Sequence, residues 1–397
     1  MATIKPFLAL RPQEVYIDKM LSLKSSSVQQ KSGFMAKLLD NGHHGDESLT
    51  NANIIGNLKR MISKGDFYQE EHPCIFIYEI TEGDNVQTGV WAVTDLNDYD
   101  SGHMKIHGAT SACCVSRLMN YRSEVGLEGG PLLLTYTPNR AIRLLLQEIK
   151  QAEANSVYYA DKVFHRIWTV YDLKTIRELS ACFAKLPNVY LADGHRRLAA
   201  AVSFRNIRQQ TEKTEDFNYI SSFYLASDQL KIRESHWLVI PYQEIDTDQI
   251  IRKLKKSFYI TRSQRNERVI PLEKREFGIF IAGKWYNMVY KLKNLQELPD
   301  ACLLQQVIFD PLFNVEQCTG DYEILSVGGS GAIDELELLL SDHSDAIAFT
   351  QSALNAEQLI DIAQQGIVLP PKSTWIEPKI PFGLLLRKLN EPAFYPY

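Results

Sequence analysis

The stretch Asn188-Val-Tyr-Leu-Ala-Asp-Gly-His-Arg-Arg-Leu-Ala-Ala-Ala-Val-Ser-Phe204 constrains this chain more than any other. Val189 to Ala192 is a short apolar run suited to a buried strand, Asp193-Gly194 is a two-residue turn, and a helical pattern starts near His195. Asp193 has the side chain of an N-cap, able to accept orphan N–H groups of the first helical turn. Gly194 lets the backbone turn sharply and lets a ligand come close. The next three residues run against expectation. His195, Arg196 and Arg197 put positive charge at the positive end of the helix dipole, where each cation costs roughly 0.3–1 kcal/mol. An anion on that terminus reverses the sign, because backbone N–H groups and forked guanidinium groups would all point at it. Phosphate is the anion this favours. Spacing alone leaves open the plainer alternative, arginines that face solvent or pair with surface acids.

Elsewhere strands and helices alternate. Cys74 to Ile80 reads as a strand turning at Gly83-Asp-Asn into Thr88 to Thr94. Leu132 to Tyr136, Lys162 to Val170, Asn218 to Leu225 and Trp237 to Tyr242 read as further strands. Helical spacing covers Glu14 to Leu23, Ala52 to Lys64, Ala112 to Met119, Ala141 to Gln151 and Lys174 to Phe183. This alternation predicts an α/β fold of mixed α+β character with a mixed sheet over residues 1–243. Composition shifts near residue 243, so residues 244–397 are expected to form a second, smaller α/β lobe whose Pro-Lys-Ser-Thr tail returns to the first. In that lobe Gly328-Gly-Ser-Gly331 lacks a following Lys-Ser/Thr pair and reads as a turn rather than a phosphate loop.

The 397 residues are 45% hydrophobic and 23% charged, as in a soluble globular protein, with a formal net charge of -5 and no basic block. No nucleic-acid surface is therefore expected. No run reaches the ~18 apolar residues that span a membrane, and no secretory segment is evident, so a cytoplasmic location is expected. The six cysteines show no paired spacing, which points to reduced thiols, not a disulfide frame or zinc ribbon. His43-His44 lacks a third ligand at metal-binding spacing and reads as a solvated loop. The oligomeric state is left open.

Several further residues can carry chemistry. His107, Thr110, His165 and His236 follow or lie on strand patterns, where a lone histidine is more often a satisfied core residue than a ligand. Lys372, Ser373 and Thr374 lie in a proline-bounded extended segment, where they either meet an anion or simply close the fold. Asp193 is open to a second role, as a Mg²⁺ ligand or an orienter of His195.

Ala192-Asp-Gly-His-Arg-Arg197 resembles the Ala-Asp-Gly-His-His-Arg motif of a widespread bacterial and archaeal family, long of unknown function, that includes the ADP-dependent free-serine kinases. Four more segments resemble that family in the same order. They are Ile4-Lys-Pro-Phe-Leu-Ala-Leu-Arg-Pro12, Lys105-Ile-His-Gly-Ala-Thr110, Phe164-His-Arg-Ile-Trp168 and Leu369-Pro-Pro-Lys-Ser-Thr-Trp-Ile-Glu-Pro-Lys-Ile380. The resemblance implies a ParB/sulfiredoxin-like nucleotide-binding core. It also implies a kinase that uses ADP or ATP, with Mg²⁺ accompanying it, on a small hydroxylated substrate, serine or a relative. By the same resemblance Asp193, Gly194, His195, Arg196 and Arg197 hold phosphate, and His107, Asp193 and His195 are catalytic. Thr110, His165, Trp168, His236, Lys372, Ser373 and Thr374 are then pocket residues.

Two departures bear on activity. The family's acidic general base after the opening strand has no counterpart in Leu21 to Lys31, and Gly108 stands where the family has Glu in its His-Glu-x-Thr element. Loss of a general base typically removes ~10²–10⁴-fold in rate. The expectation is slow serine phosphorylation or, as the alternative, a non-catalytic protein that binds a nucleotide or phosphometabolite.

Overall fold

A computed structural model describes residues 2–13, 17, 47–110, 112–160, 162–209, 216–291, 298–313 and 322–389. The helix expected over Glu14 to Leu23, the loop from Leu21 to Lys31 and His43-His44 lie outside the described residues. The chain divides into two units. The first comprises residues 1–230, 363–366 and those from Pro378 on; the second comprises Lys231–Ile362 and Ile367–Glu377. The division after Leu230 precedes the change of composition near residue 243. The reason is that Ser235–Pro241, expected as a strand of the first lobe, pairs with strands of the second unit.

In the first unit the described strands are β1 (Ile4–Lys5), β2 (Ala9–Pro12), β3 (Phe67–Gln69), β4 (Ile75–Glu82), β5 (Asn85–Asp95) and β6 (Met104–Lys105). They continue with β7 (Leu127–Glu128), β8 (Leu132–Tyr136), β9 (Ser156–Ala160), β10 (Val163–Val170), β11 (Val189–Asp193) and β12 (Tyr219–Ala226). The helices used below are α1 (Glu47–Ser63), α2 (Ala112–Val125), α3 (Arg140–Ile149), α4 (Leu173–Ala184) and α5 (His195–Arg208). A nine-stranded sheet runs β6-β11-β8-β12-β5-β4-β10-β9, with β1 paired to β5. β11 is parallel to β6 and β12 is parallel to β8, while the other pairs are antiparallel, so the sheet is mixed.

Both faces of this sheet are covered, which is why its central strands read as continuous apolar runs rather than alternating ones. On one face Leu132, Leu134, Leu191 and Ile220 pack with Ile142 of α3 and with Ile176, Leu179 and Phe183 of α4. On the other face Phe76, Tyr78, Trp91 and Phe223 are fully buried. Here Gly89 is required, because a Cβ would sit 2.4 Å from the Phe223 ring and from the Tyr224 carbonyl. A four-stranded sheet, β3-β2-β13-β7, lies against this face, with β13 formed by Leu386–Lys388. Its buried arginines reach down to the larger sheet. Arg387 donates to the Tyr219 carbonyl (2.8 Å) and pairs with Glu128 (3.1 Å), and Arg11 pairs with Glu70 (3.0 Å) and donates to Ser156 (2.8 Å).

The second unit holds a six-stranded antiparallel sheet. Thr247–Ser257 and residues 300–313 pack on one face, through Ile250, Leu254, Leu303 and Phe309. Ala332–Asp342 packs on the other, through Leu336 and Leu340. The helical stretch over residues 300–313 contains a π turn at Gln305–Phe309, which spacing alone does not reveal. The glycine cluster is a turn: Trp375 lies over Gly328 and Gly329, where a Cβ would come within 2.8–3.0 Å of the indole. The fold is mixed α/β. Among the described residues no helix is long and apolar enough to cross a membrane, and the described cysteines are free thiols.

Candidate functional site

β11 carries the site to the edge of the nine-stranded sheet. Its register against β8 slips between Leu191 and Asp193, a bulge that redirects the Asp193 side chain. Gly194 then adopts φ 106°, a left-handed conformation that a side chain opposes. A Cβ there would also sit 2.8 Å from Leu132 and 3.0 Å from the Arg197 guanidinium. Gly194 itself is the N-cap of α5, and no side chain caps that helix.

This corrects the capping expectation for Asp193. Its Oδ1 accepts the N–H of Gly194 at 2.7 Å and so is spent one residue too early. Its Oδ2 lies 3.9 Å from Arg197 Nη2 and 3.6 Å from Lys379 Nζ. Burial disfavours the charge on Asp193, but Lys379, Arg197, the Gly194 N–H and His195 outweigh it and hold the carboxyl below its usual range. With both oxygens engaged, Asp193 is a poor candidate for a metal ligand. Among the described residues no group of three or more His, Cys, Asp or Glu side chains is placed to hold a metal ion.

Arg197 is half-buried and folds back over the turn rather than pointing to solvent. Its Nη1 lies 3.0 Å from where a Cβ of Gly130 would be, and its Nε is buried without a hydrogen-bond partner. The Phe382 ring rests on Gly129 so closely that a Cβ would come to 2.4 Å, and Gly383 donates to the Gly129 carbonyl at 2.8 Å. Bare backbone at Gly129-Gly130 therefore makes room for the guanidinium on one side and the ring on the other. Arg196 is exposed.

His107 follows β6 and meets His195 edge to face, ring centroids 4.6 Å apart at 83°. His107 is 1% exposed. Burial first, then His195, lowers its pKa to about 3 against the pull of Asp193 and the Leu191 carbonyl. Burial likewise lowers His195 to about 4, with Asp193 opposing and Arg197 assisting. Both rings are neutral at pH 7. A Cβ at Gly108 would sit 3.0 Å from His195 Nε2, so the imidazole fills the space that a longer residue at 108 would need. Thr110 lies half-buried two residues further along.

Two further sequence candidates of the first unit are not gathered with these. His165 and Trp168 sit on β10, with β8, β12, β5 and β4 between it and β11. His165 Nδ1 is bonded to the Tyr78 hydroxyl at 2.8 Å, its ring stacked on Tyr78 at 6.0 Å, and burial lowers its pKa to about 4. Trp168 is a core residue whose indole N–H donates to the Ala152 carbonyl at 2.9 Å. Both are satisfied by the fold.

His236, Lys372, Ser373 and Thr374 belong to the second unit. His236 is buried in its sheet, and burial lowers its pKa to about 4. Ser373 donates to the Pro370 carbonyl at 2.6 Å, and the Lys372 carbonyl accepts from Ser235 at 2.7 Å, so this segment is tied to itself and to the strand Ser235–Pro241. Sequence reasoning missed Lys379, Gly129, Gly130 and Phe382. The only signals were a second Pro-Lys pair and the Gly-Gly-Pro run ahead of β8.

A search of curated proteins finds no match. Among solved structures the chain is similar to a conserved hypothetical protein from Pyrococcus furiosus, with TM-score 0.43 and 14% identity over 78% of this chain and 98% of that one. It is also similar to free serine kinase in complex with AMP, with TM-score 0.40 and 15% identity over 74% and 92% of the two chains. A third similar structure is SbnI with C-terminal truncation from Staphylococcus aureus, with TM-score 0.40 and 8% identity over 74% and 87%. The family model described as "Protein of unknown function (DUF1015)" matches residues 37–308, a span that contains the Asp193 turn, the His107 segment and the Gly129-Gly130 shelf, and the chain belongs to that family.

Proposed function

We propose that this protein binds the phosphates of a nucleotide, ADP or ATP, at the N-terminus of α5, and that it is built as a phosphotransferase for a small hydroxylated metabolite, serine or a relative. One observation carries the reading. The first turn of α5 lacks a side-chain cap, and the guanidinium folded against it has a buried Nε with no partner. Orphan backbone N–H groups together with an unsatisfied guanidinium are a donor set for a phosphate oxyanion. Lys379 and Arg196 add positive charge beside it, and Asp193 holds Arg197 and Lys379 near the turn. Phosphoryl transfer is largely positioning and charge neutralisation, which is what such a cluster supplies. Mg²⁺ accompanying the nucleotide would be held by the phosphates, since Asp193 is already engaged.

Gly108 favours a second reading, a non-catalytic binder of a nucleotide or phosphometabolite. With His195 filling the space beside it, position 108 offers no carboxylate to take a hydroxyl proton. Turnover separates the two readings. Purified protein given ADP or ATP with L-serine is expected to bind nucleotide but form phosphoserine ~10²–10⁴-fold below a typical kinase rate. Phosphoserine at an ordinary kinase rate would show that another group takes the proton. No nucleotide binding at all would remove the first reading and leave only the phosphometabolite form of the second.

A further inference from the structure

Two unpartnered buried nitrogens lie beside the first turn of α5 and have no role in holding the fold. His107 Nδ1 and His195 Nε2 are buried without a hydrogen-bond partner among the described residues. The other nitrogen of His107 is engaged with the Leu191 carbonyl, so Nδ1 carries the ring lone pair. The His195 ring occupies the space that a Cβ at Gly108 would need. A buried polar atom left without a partner is costly, and in a native structure it calls for a reason.

Burial is the main reason the pair is neutral as it stands, and the charged groups facing it modify that balance. Asp193 favours a proton on either ring, Arg197 opposes one on His195, and His195 opposes one on His107. Asp193 is itself shared among the Gly194 N–H, Arg197 and Lys379. A dianion on the turn would shift this balance in two ways. It adds negative charge at short range, and it draws Arg197 and Lys379 to itself, leaving Asp193 to the imidazoles.

We infer that His107 and His195 form one proton-accepting group of this site, neutral when the first turn of α5 is bare and taking up a proton when a phosphate-type dianion occupies it. The inference rests on the phosphate reading of the turn. The proton comes from solvent and adds to a ring-nitrogen lone pair, and no bond of the ligand breaks.

Sulfate is a suitable probe, being a dianion that does not titrate near neutrality. Calorimetric titration of the full chain with sulfate at pH 6.5, in two buffers of different ionisation enthalpy, should give an uptake of about half to one proton per sulfate bound. His107→Gln and His195→Asn should bind sulfate with that uptake diminished or gone. In the wild-type chain the ring ¹⁵N signals of His107 or His195 should move toward the imidazolium position on sulfate addition, a readout that does not depend on the variants folding. Sulfate binding with no proton uptake and no ring shift would overturn the inference and leave the phosphate reading standing. Uptake that persists unchanged in both variants would assign the proton elsewhere. Absence of sulfate binding would overturn both.

Discussion

Replacing Glu128 with alanine is expected to destabilise the first unit by about 3–5 kcal/mol, read as a fall in Tm of roughly 6–20 °C. Glu128 lies between two buried arginines, with Arg122 Nη1 at 2.6 Å and Arg387 Nη1 at 3.1 Å. Its Oε2 also accepts the backbone N–H of Ser221 at 2.9 Å, tying the small sheet to β12. Removing the carboxylate leaves two guanidinium groups buried without their counter-charge, which costs far more than the pair contributes when intact. Burial alone would raise the Glu128 pKa, but Arg122, Arg387 and the Ser221 N–H prevail and hold it below the ordinary carboxylate value. Because the folded pKa is the depressed one, this stabilisation is complete above pH ~4.3 and is lost as pH falls through the folded value. Asp228 supplies the contrast. Its pair with Arg143 is about half exposed, at 44% and 53%, so Asp228→Ala should cost no more than about 1 kcal/mol.

The second large effect is on binding. Arg197→Ala should weaken ADP or ATP binding by about 1.5–3 kcal/mol, roughly 10- to 150-fold in Kd by calorimetry, through loss of a charge-assisted hydrogen bond. The fold should tolerate the change, since the ion pair of Arg197 with Asp193 is a loose 3.9 Å contact. Arg196 is exposed, and Arg196→Ala should weaken binding less than tenfold, in line with a screened surface charge of about 1 kcal/mol or less. Equal affinities for wild type and Arg197→Ala would mean that the folded-back guanidinium serves packing only.

Local structure was largely legible from the residues. Leu132–Tyr136 forms a strand at the limits its apolar spacing gives, and the hairpin across Gly83 follows its turn signal. The strand–turn–helix at Asp193 was equally plain, as was the mismatch of three cations on a helix N-terminus. What spacing could not give is which strands become neighbours. Leu386–Lys388 becomes an inner strand between β2 and β7, drawn from opposite ends of the chain, and no periodicity encodes that partner. The family resemblance put His165 and Trp168 among the pocket residues, and the fold sets them on β10, where Tyr78 and the Ala152 carbonyl satisfy them within the sheet. The capping role expected of Asp193 failed for a local reason. The bulge at its strand end aims the carboxylate at the Gly194 N–H, leaving the helix terminus open to a ligand.

The most direct test of the central reading is the backbone amide spectrum of the chain as ADP is added. Phosphate seated on the N-terminus of α5 predicts that the largest amide shifts fall on His195, Arg196 and Arg197, with Gly194 and Gly130 following. Saturating binding that leaves those amides in place, or moves others instead, would contradict it.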